Sequence, residues 1–253
     1  MSSARVIDVE RVDFVAIPVG DLGRADDFYG ATLGLARNPR SSGERWVEYE
    51  TGNVTLALST VGGTIALRVA DVRGARRALE EAGVEFAMDT FDSGVCHGAP
   101  FVDPDGNRLL LHRRYAPLEA WEAPASEVER TDFAMVVTQD KERSLRFYEE
   151  TLGLPRQPNA HEDWPEVETG NLTISIVDYR QIGRDEFEPN TGAVALRVSE
   201  VATTRSRLED AGVEFRGDTM DSGVCHLAVF VDPDDNRVFA HRRYAPYSDG
   251  TMP

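Results

Sequence analysis

The feature that most constrains the fold of this chain is a segment that occurs twice. Residues 92–117, DSGVCHGAPFVDPDGNRLLLHRRYAP, return at residues 221–246 with six substitutions. In each copy two apolar runs flank an Asp-Pro-Asp turn sequence, a pattern that predicts a β-hairpin. Gly106 suits a turn position with positive φ, and its counterpart Asp235 is one of the few other residue types that tolerate that region. The fold must therefore contain two related hairpins.

Histidines are concentrated in these hairpins, which hold four of the five in the chain. If residues 103–106 form a four-residue turn, His97 lies opposite His112, and the equivalent register in the second copy places His226 opposite His241. We therefore predict these four histidines as candidate catalytic residues. A slip of one residue would place the two rings of each pair on opposite faces of the sheet.

Three interpretations of the histidine pairs stay open. Two imidazoles on neighbouring strands could bind a transition metal together with a nearby glutamate. They could instead act as general acid and general base on a bound substrate without a metal. In the third interpretation they are structural and interact with the backbone and with Tyr115 and Tyr244.

The periodicity of the whole chain predicts four units of the order β-α-β-β-β. In the first unit a helix begins after Asp21, and in the second unit a helix begins after Asp71. The predicted strands of these two units are 12–19, 36–40, 45–51, 53–59, 64–69, 84–90, 95–102 and 108–114. The same pattern restarts at residue 131, so the chain is an internal duplication.

These units predict two domains joined by a linker. The first domain is 10–117, with units 10–60 and 63–117, and the second is 131–247, with units 131–178 and 191–247. Residues 118–130 form the linker. An insertion at 178–190 distinguishes the second half, and it is either a lid or an extended surface connection.

The net charge, the cysteine content and the lengths of the apolar runs limit the functions that this chain can have. The net charge of −17 opposes binding to nucleic acid or to anionic membranes and favours a cationic ligand. The presence of only two cysteines, Cys96 and Cys225, argues against a disulfide framework, and no apolar run is long enough to span a membrane. The start of the sequence lacks the features of a signal peptide. We expect a cytoplasmic monomer or homodimer.

The sequence FY…LGL after a first strand, combined with DPDGN before a last strand, resembles the vicinal oxygen chelate superfamily. That superfamily includes glyoxalase I, bleomycin-resistance proteins and extradiol dioxygenases. The resemblance implies an α+β fold in which the four βαβββ units pair into two glyoxalase-like domains, with curled mixed sheets around a cavity. It also implies, for the enzymes, a divalent metal held by the first and last strands of the units.

The positions that this resemblance assigns to metal ligands carry no suitable donors here. Metal-binding side chains are carboxylates, imidazoles and thiolates. The ligand positions hold instead Phe14, Ala57, Thr64, Leu110, Phe133, Ala193 and Phe239. We therefore expect no cofactor and no metal at the usual positions, with a non-standard divalent metal at the histidines as the alternative.

Side chains that share strand parity with these positions should face the cavity. The predicted ligand-binding residues on these strands are Phe14, Arg68, Arg108, Leu110, Phe133, Arg197, Arg237 and Phe239. The alternative is that the large apolar members simply fill the barrel as core.

Two further residue pairs, Trp46 with Glu48 and Trp164 with Glu166, are added to the predicted ligand-binding set. An indole and a carboxylate together suit a flat or cationic molecule. Alternatively, each glutamate forms a structural ion pair with Arg68 or Arg197. Cys96 and Cys225 are expected to point into the core, where burial would make them unreactive.

These observations favour a small-molecule binding protein of the bleomycin-resistance type, which sequesters an antibiotic or natural product that is cationic or aromatic. The alternative is a lyase, isomerase or dioxygenase of the same fold that uses the histidine pairs with or without a metal.

Overall fold

Two mixed β-sheets carry the fold in the computed structural model, which describes residues 6–39, 44–86, 88–117, 121, 123–158, 160–189 and 191–246. The first sheet has eight strands in the order β2-β3-β4-β1-β5-β8-β7-β6. These strands are β1 Val9–Pro18, β2 Ala36–Arg37, β3 Trp46–Glu50, β4 Thr55–Ser59, β5 Thr64–Val69, β6 Phe91–Asp92, β7 Cys96–Val102 and β8 Arg108–Arg114.

The second sheet repeats this arrangement with seven strands in the order β10-β11-β9-β12-β15-β14-β13. Its strands are β9 Val128–Thr138, β10 Glu166–Glu168, β11 Thr173–Asp178, β12 Thr191–Val198, β13 Met220–Asp221, β14 Cys225–Val231 and β15 Arg237–Arg243. β5 and β8 run parallel, as do β12 and β15, whereas the hairpins β7–β8 and β14–β15 are antiparallel. The predicted α+β class with duplicated, curled mixed sheets is confirmed.

In the described part of the chain the α-helices are few and short, and three of the four begin at an aspartate cap. The helices are α1 Leu22–Asp26, α2 Val72–Glu81, α3 Lys141–Arg146 and α4 Val201–Asp210. The side chains of Asp21, Asp71 and Asp140 accept bonds from backbone N–H groups of the first turn, which would otherwise lack partners. Glu200 caps α4 in the same way.

A π-helical turn follows α1 at Asp27–Thr32 and another follows α3 at Phe147–Thr151. Each π-turn buries the tyrosine of the FY motif completely. Tyr148 donates a hydrogen bond to Asp103 at 2.9 Å, and Tyr29 donates one to Asp232 at 3.0 Å. Burial, followed by the aspartate charge, raises the pKa of both tyrosines well above the usual value. The FY motif and the Asp-Pro-Asp turn, which carry the family resemblance, are therefore joined by a buried hydrogen bond.

The chain divides into two compact units, and each takes residues from both halves of the duplication. The first unit consists of Met1–Val15, Thr64–Trp121 and Met135–Thr191. The second consists of Ala16–Gly63, Glu122–Ala134 and Gly192–Pro253. Each sheet, by contrast, is built from one half of the chain. Compact units and sequence repeats therefore do not coincide.

The hairpin register differs by one residue from the prediction. The closing pair of the first turn is Asp103 with Asn107, because the Asp103 N–H donates to the Asn107 carbonyl at 2.9 Å. This leaves a three-residue loop in which Gly106 has φ +83°. Three-residue hairpin loops commonly place their last residue in the left-handed region. Asp235 takes this conformation in the second copy with φ 61°, as predicted.

The predicted strand 84–90 is wrong for its described residues. Residues 84–86 and 88–90 form no strand, and residue 87 lies outside the described part. The short edge strand is β6, which follows directly. Phe86 instead packs against Phe101 with 5.4 Å between ring centroids and lies under the guanidinium of Arg76. Its apolar side chain serves core packing rather than a strand.

The insertion of the second half begins with a single 3₁₀ turn, Tyr179–Ile182. In the described part of the chain, no helix has the length and apolar character needed to cross a bilayer.

Candidate functional site

A buried cluster of charged groups joins three strands of the first compact unit. Asp13 on β1 bonds to His112 on β8, with 2.6 Å between Oδ2 and Nδ1. The other carboxylate oxygen accepts a hydrogen bond from Nε of Arg68 on β5 at 2.7 Å. The side chains of Asp13 and His112 are 7% and 10% exposed. The carboxylate is thus shared between an imidazole and a guanidinium with little solvent.

The electrostatics of this cluster favour its charged state. Burial alone would lower the pKa of His112, but the hydrogen bond that it donates to Asp13 and the interaction with Cys96 raise it to about 9. Burial would likewise raise the pKa of Asp13, but the bonds and charges of His112 and Arg68 lower it below the usual value. His112 is therefore an imidazolium and Asp13 a carboxylate at neutral pH.

The second compact unit repeats the cluster. His241 Nδ1 lies 2.6 Å from Oδ2 of Asp132, and Nε of Arg197 donates to the same carboxylate at 2.9 Å. Burial would lower the pKa of His241, but Asp132 and Cys225 raise it to about 9. The repeated geometry shows that the cluster is a property of the duplicated fold.

A cysteine lies on the same sheet face as each of these histidines. In the β7–β8 ladder Cys96 lies opposite Arg114 and Gly98 lies opposite His112, so Cys96 and His112 are diagonal neighbours on one face. Each of these two side chains influences the pKa of the other, and Sγ of Cys96 lies 3.1 Å from Oγ of Ser93. The prediction that Cys96 points into the core is wrong, because the residue shares its sheet face with His112 and is half-buried.

Cys96 has the setting of an ionisable thiol. The residue is half-exposed. Burial would raise the pKa of the thiol, but hydrogen bonds from His112 and Ser93 and the charges of His112 and Arg114 lower it below its usual value. The second unit contains the same arrangement, since Cys225 is half-exposed, interacts with His241 and lies 3.1 Å from Oγ of Ser222.

The predicted histidine pairs do not form. His97 lies opposite Arg113 and His226 lies opposite Arg242, so each points away from the face that carries His112 or His241. The physical reason is the three-residue loop, which shifts the ladder by one position and exchanges the faces. The pairs therefore cannot act together as metal ligands or as an acid and base on one substrate.

His97 belongs instead to a surface cluster. Its ring centroid lies 5.0 Å from that of Tyr115, and its Nε2 lies 3.4 Å from Asp92. Tyr115 donates a hydrogen bond to Asp92 at 2.6 Å. In the second copy the His226 and Tyr244 rings are also 5.0 Å apart. This contact matches the third interpretation, in which these histidines are structural and interact with the tyrosines.

The predicted lining residues of the first unit are mostly half-buried. The Phe14 ring packs edge-on against His112 with 5.4 Å between centroids and is partly exposed, whereas Leu110 is buried. Glu166 accepts hydrogen bonds from Thr173 at 2.9 Å and Ser175 at 3.0 Å. Trp164 is half-buried and Arg108 is exposed.

The second unit is more tightly filled at the equivalent places. Phe133 and Phe239 are 5% and 2% exposed and pack together with 5.6 Å between ring centroids. This fits the alternative that apolar residues fill the barrel as core. The half-buried Trp46 donates its indole N–H to Glu48 at 2.8 Å, and Arg237 is half-buried.

The donor set does not fit the metal centre that the resemblance implies. In the first unit the ligand positions hold Phe14, Thr64 and Leu110, which offer a single hydroxyl among them. Among the residues that the structure describes, no group of three or more His, Cys, Asp or Glu side chains is placed to hold a metal ion. The expectation that the protein needs no cofactor stays a prediction.

Sequence reasoning missed Asp13 and Asp132, which hold the two histidines. A signal was present, because both aspartates precede the repeated Phe14 and Phe133 in the matching strands. It was overlooked because strict alternation assigns neighbouring residues to opposite faces, whereas both Asp13 and Phe14 contact His112.

Duplicated sheets of this kind, with paired signature motifs, define the class of glyoxalase-like proteins. The sequence matches the family described as Glyoxalase/Bleomycin resistance protein/Dioxygenase superfamily over residues 11–111 and 130–238. These segments cover most of the chain, and the chain belongs to this superfamily.

Solved structures support the same fold. The Mn(II)-bound glyoxalase from Novosphingobium aromaticivorans is 16% identical, with a TM-score of 0.68, and the match covers 93% of this chain and 82% of that one. Homoprotocatechuate 2,3-dioxygenase from Arthrobacter globiformis is 18% identical, with a TM-score of 0.70 and coverage of 99% and 85%. No curated protein matches the sequence. At these identities the likeness shows the fold alone.

Proposed function

We propose that this chain binds a small organic molecule in its first compact unit without the divalent metal of superfamily enzymes. The observation that carries the proposal is the partly exposed Phe14 ring against the buried His112–Asp13 pair. An apolar surface next to a few fixed polar groups is typical of a small-molecule site. The role corresponds to the bleomycin-resistance branch, in which a protein sequesters an antibiotic or other natural product.

The two units are not equivalent in this proposal. Phe133, the counterpart of Phe14, is buried against Phe239. Arg197 is also less exposed than Arg68, with side-chain exposures of 11% and 24%. Because Phe133 and Phe239 fill the equivalent place in the second unit, we expect one non-covalently bound ligand per chain.

The ligand class follows from charge and aromatic surface. The net charge of −17 favours cations over anions. In the first unit Trp164 offers an indole, and Glu166 is oriented by two hydroxyl groups as a carboxylate acceptor. A flat aromatic cation combines both requirements. Nucleic acid and membrane lipid are not the expected partners.

Isothermal titration calorimetry with 9-aminoacridine, a flat cation, tests this proposal, with acridine-9-carboxylate as the matched anion. We expect one cation per chain and at least about tenfold weaker binding of the anion, which corresponds to about 1.4 kcal/mol. Phe14→Ala should weaken cation binding, whereas the surface variant His97→Gln should not. Equal affinity for both probes, no saturable binding, or binding insensitive to Phe14→Ala would contradict the proposal.

The enzyme alternative loses its original basis, because the histidine pairs on which it rested do not form. A different set of groups is suited to a reaction with a bound molecule. This set is the cysteine, histidine and aspartate that lie together in each unit.

A further inference from the structure

We propose that Cys96 and Cys225 are nucleophilic thiols, each assembled with a histidine and an aspartate, that bond covalently to small molecules containing an α,β-unsaturated carbonyl group. This inference deepens the proposed small-molecule binding and rests on it for the presence of a ligand beside Phe14. The reactivity of the thiols can be tested separately from binding.

The first step is the orientation of the imidazole. Asp13 holds Nδ1 of His112 at 2.6 Å, and Arg68 holds the other oxygen of the same carboxylate at 2.7 Å. This fixes the ring and leaves Nε2 as the nitrogen available to the thiol. An acid that orients a histidine, which in turn activates a nucleophile, is the recurring arrangement of nucleophilic catalysis.

The second step is the position of the thiol. The ladder places Cys96 on the same face as His112, one diagonal step away. His112 lowers the pKa of Cys96, and Cys96 raises the pKa of His112. Ser93 lies 3.1 Å from the sulfur and can donate to a thiolate. Cys96 is half-buried, so part of the residue is open to solvent and to a small molecule.

The third step is the charge state. The raised pKa of His112 and the lowered pKa of Cys96 both favour the thiolate and imidazolium over the neutral thiol and imidazole. Arg114, opposite Cys96 in the ladder, adds a further positive charge that stabilises the thiolate. Low-pKa thiols next to cationic groups are the reactive ones in proteins.

The second unit repeats every element of the set with Cys225, His241, Asp132 and Arg197. The sites differ at neighbouring positions, because Phe91 and Gly98 of the first correspond to Met220 and Leu227 of the second. Gly98 in the first is covered by the ring of Phe91, because an added Cβ would lie 2.3 Å from that ring, whereas Leu227 stands at this place in the second. The two thiols therefore have different surroundings and should differ in ligand preference.

The reaction is an addition that needs no other reactant. The thiolate attacks the β-carbon, so an S–C bond forms and the C=C π bond breaks. The released electron pair forms an enolate, which takes the Nε2 proton of the imidazolium at its α-carbon. The products are a saturated thioether and a neutral histidine, and neither group is oxidised by an external reagent.

This ligand class fits the groups present. A thiolate is a soft nucleophile, and a conjugated carbonyl is a soft electrophile whose developing enolate needs a proton donor. The imidazolium of His112 supplies that proton, and the ring of Phe14 beside it offers contact to a conjugated, flat ligand.

Alkylation by iodoacetamide, followed by intact-protein mass spectrometry across pH, tests the thiols directly. Cys225→Ser leaves Cys96 as the single target. An ordinary thiol titrates near pH 8.5, and lowering the pKa increases the thiolate fraction more than it reduces nucleophilicity. We expect Cys96 to react at pH 6 at least about tenfold faster than free cysteine.

The decisive comparison is between two neighbouring histidines. In the Cys225→Ser background, His112→Gln should lower the pH 6 rate about tenfold and move the midpoint of the rate profile upward, as should Asp13→Asn to a lesser degree. His97→Gln should leave both unchanged, because His97 follows Cys96 in sequence but lies on the other face. A rate profile like that of free cysteine, or one unaffected by His112→Gln while circular dichroism shows a folded chain, would overturn the proposal.

Methyl acrylate tests the ligand class, and 9-aminoacridine separates this inference from the binding function. Methyl acrylate should modify Cys96 at neutral pH in Cys225→Ser, and His112→Gln should slow it. Cys96→Ser should abolish modification of the first unit but retain binding of 9-aminoacridine. Fast iodoacetamide alkylation without methyl acrylate addition would refute the ligand class. Loss of acridine binding with retained thiol reactivity would refute the binding function instead.

Discussion

Replacing His112 by glutamine tests the ion pair between this imidazole and Asp13. The bond between them is 2.6 Å long, and the pKa of His112 in the folded chain is about 9. In the unfolded chain a histidine titrates near 6.5. A group whose pKa is raised by folding stabilises the fold fully below the unfolded value, and this contribution is lost as the pH rises through the folded value.

The size of the pKa shift of His112 determines how much the ion pair contributes to the free energy of unfolding. Below pH 6 the raised pKa of His112 contributes about 3 kcal/mol to the free energy of unfolding, and roughly 2 to 3 kcal/mol persists at pH 7. By pH 10 almost none is left. The lowered pKa of Asp13 has the opposite sign, since its contribution is present above the unfolded value and is lost as the pH falls. The pair is therefore most stabilising from about pH 4 to pH 6.5, and its contribution declines between pH 6.5 and pH 9.

Urea denaturation at pH 7 and pH 10 measures this contribution. The wild type should lose more stability between the two pH values than His112→Gln, by about 2 to 3 kcal/mol. The matched control His97→Gln should show the same pH dependence as the wild type, because that ring is on the other face and its side chain is 38% exposed. Equal losses for the wild type and His112→Gln would refute the reasoning.

Three further substitutions probe the structural framework. Tyr148→Phe removes the hydrogen bond to the buried Asp103 and should reduce the free energy of unfolding by about 1.5–3 kcal/mol in urea titrations. Asp105→Asn should cost about 3 kcal/mol or more by the same measurement, because this fully buried carboxylate accepts bonds from two hydroxyls and a guanidinium. Gly98→Leu should cost less than about 1 kcal/mol, because the exposed Phe91 ring can move aside, and thermal unfolding would detect a larger loss.

Matched positions in the second unit serve as controls. Tyr29→Phe should resemble Tyr148→Phe, because Tyr29 makes the same buried bond to Asp232. Asp234→Asn should cost less than Asp105→Asn, because the side chain of Asp234 is 15% exposed and pairs with Arg24 at 3.0 Å. A Tyr148→Phe protein as stable as the wild type, or an Asp105→Asn protein no less stable than Asp234→Asn, would contradict these assignments.

Much of the fold could be predicted because the apolar residues recur with the spacing of strands and helices, and turn residues separate these segments. The strand Arg108–Arg114 was predicted with its exact limits, and the strand from Thr64 to Val69 likewise, since apolar runs there end at turn residues. The aspartate caps of the first two helices were also recognised. What the patterns could not reveal was that helix α1 continues into a π-helical turn that buries Tyr29.

The candidate site was predicted only in part because it depends on register. Moving the closing pair of the hairpin by one residue places Gly98 instead of His97 opposite His112 and brings Cys96 to the same face as His112. The lengths of the two apolar runs do not show whether the loop between them has three or four residues. The deciding contacts are the Asp103 backbone bond to Asn107 and its side-chain bonds within the turn, which a single sequence does not display.

The most direct test of the central claim compares ligand binding before and after removal of metal. Untagged protein would be assayed by elemental mass spectrometry, treated with a chelator and titrated with 9-aminoacridine in the calorimeter. The account predicts one binding site per chain and an affinity that changes less than about twofold on chelation, or less than about 0.4 kcal/mol. Binding that disappears with the metal and returns on addition of a divalent cation would contradict it.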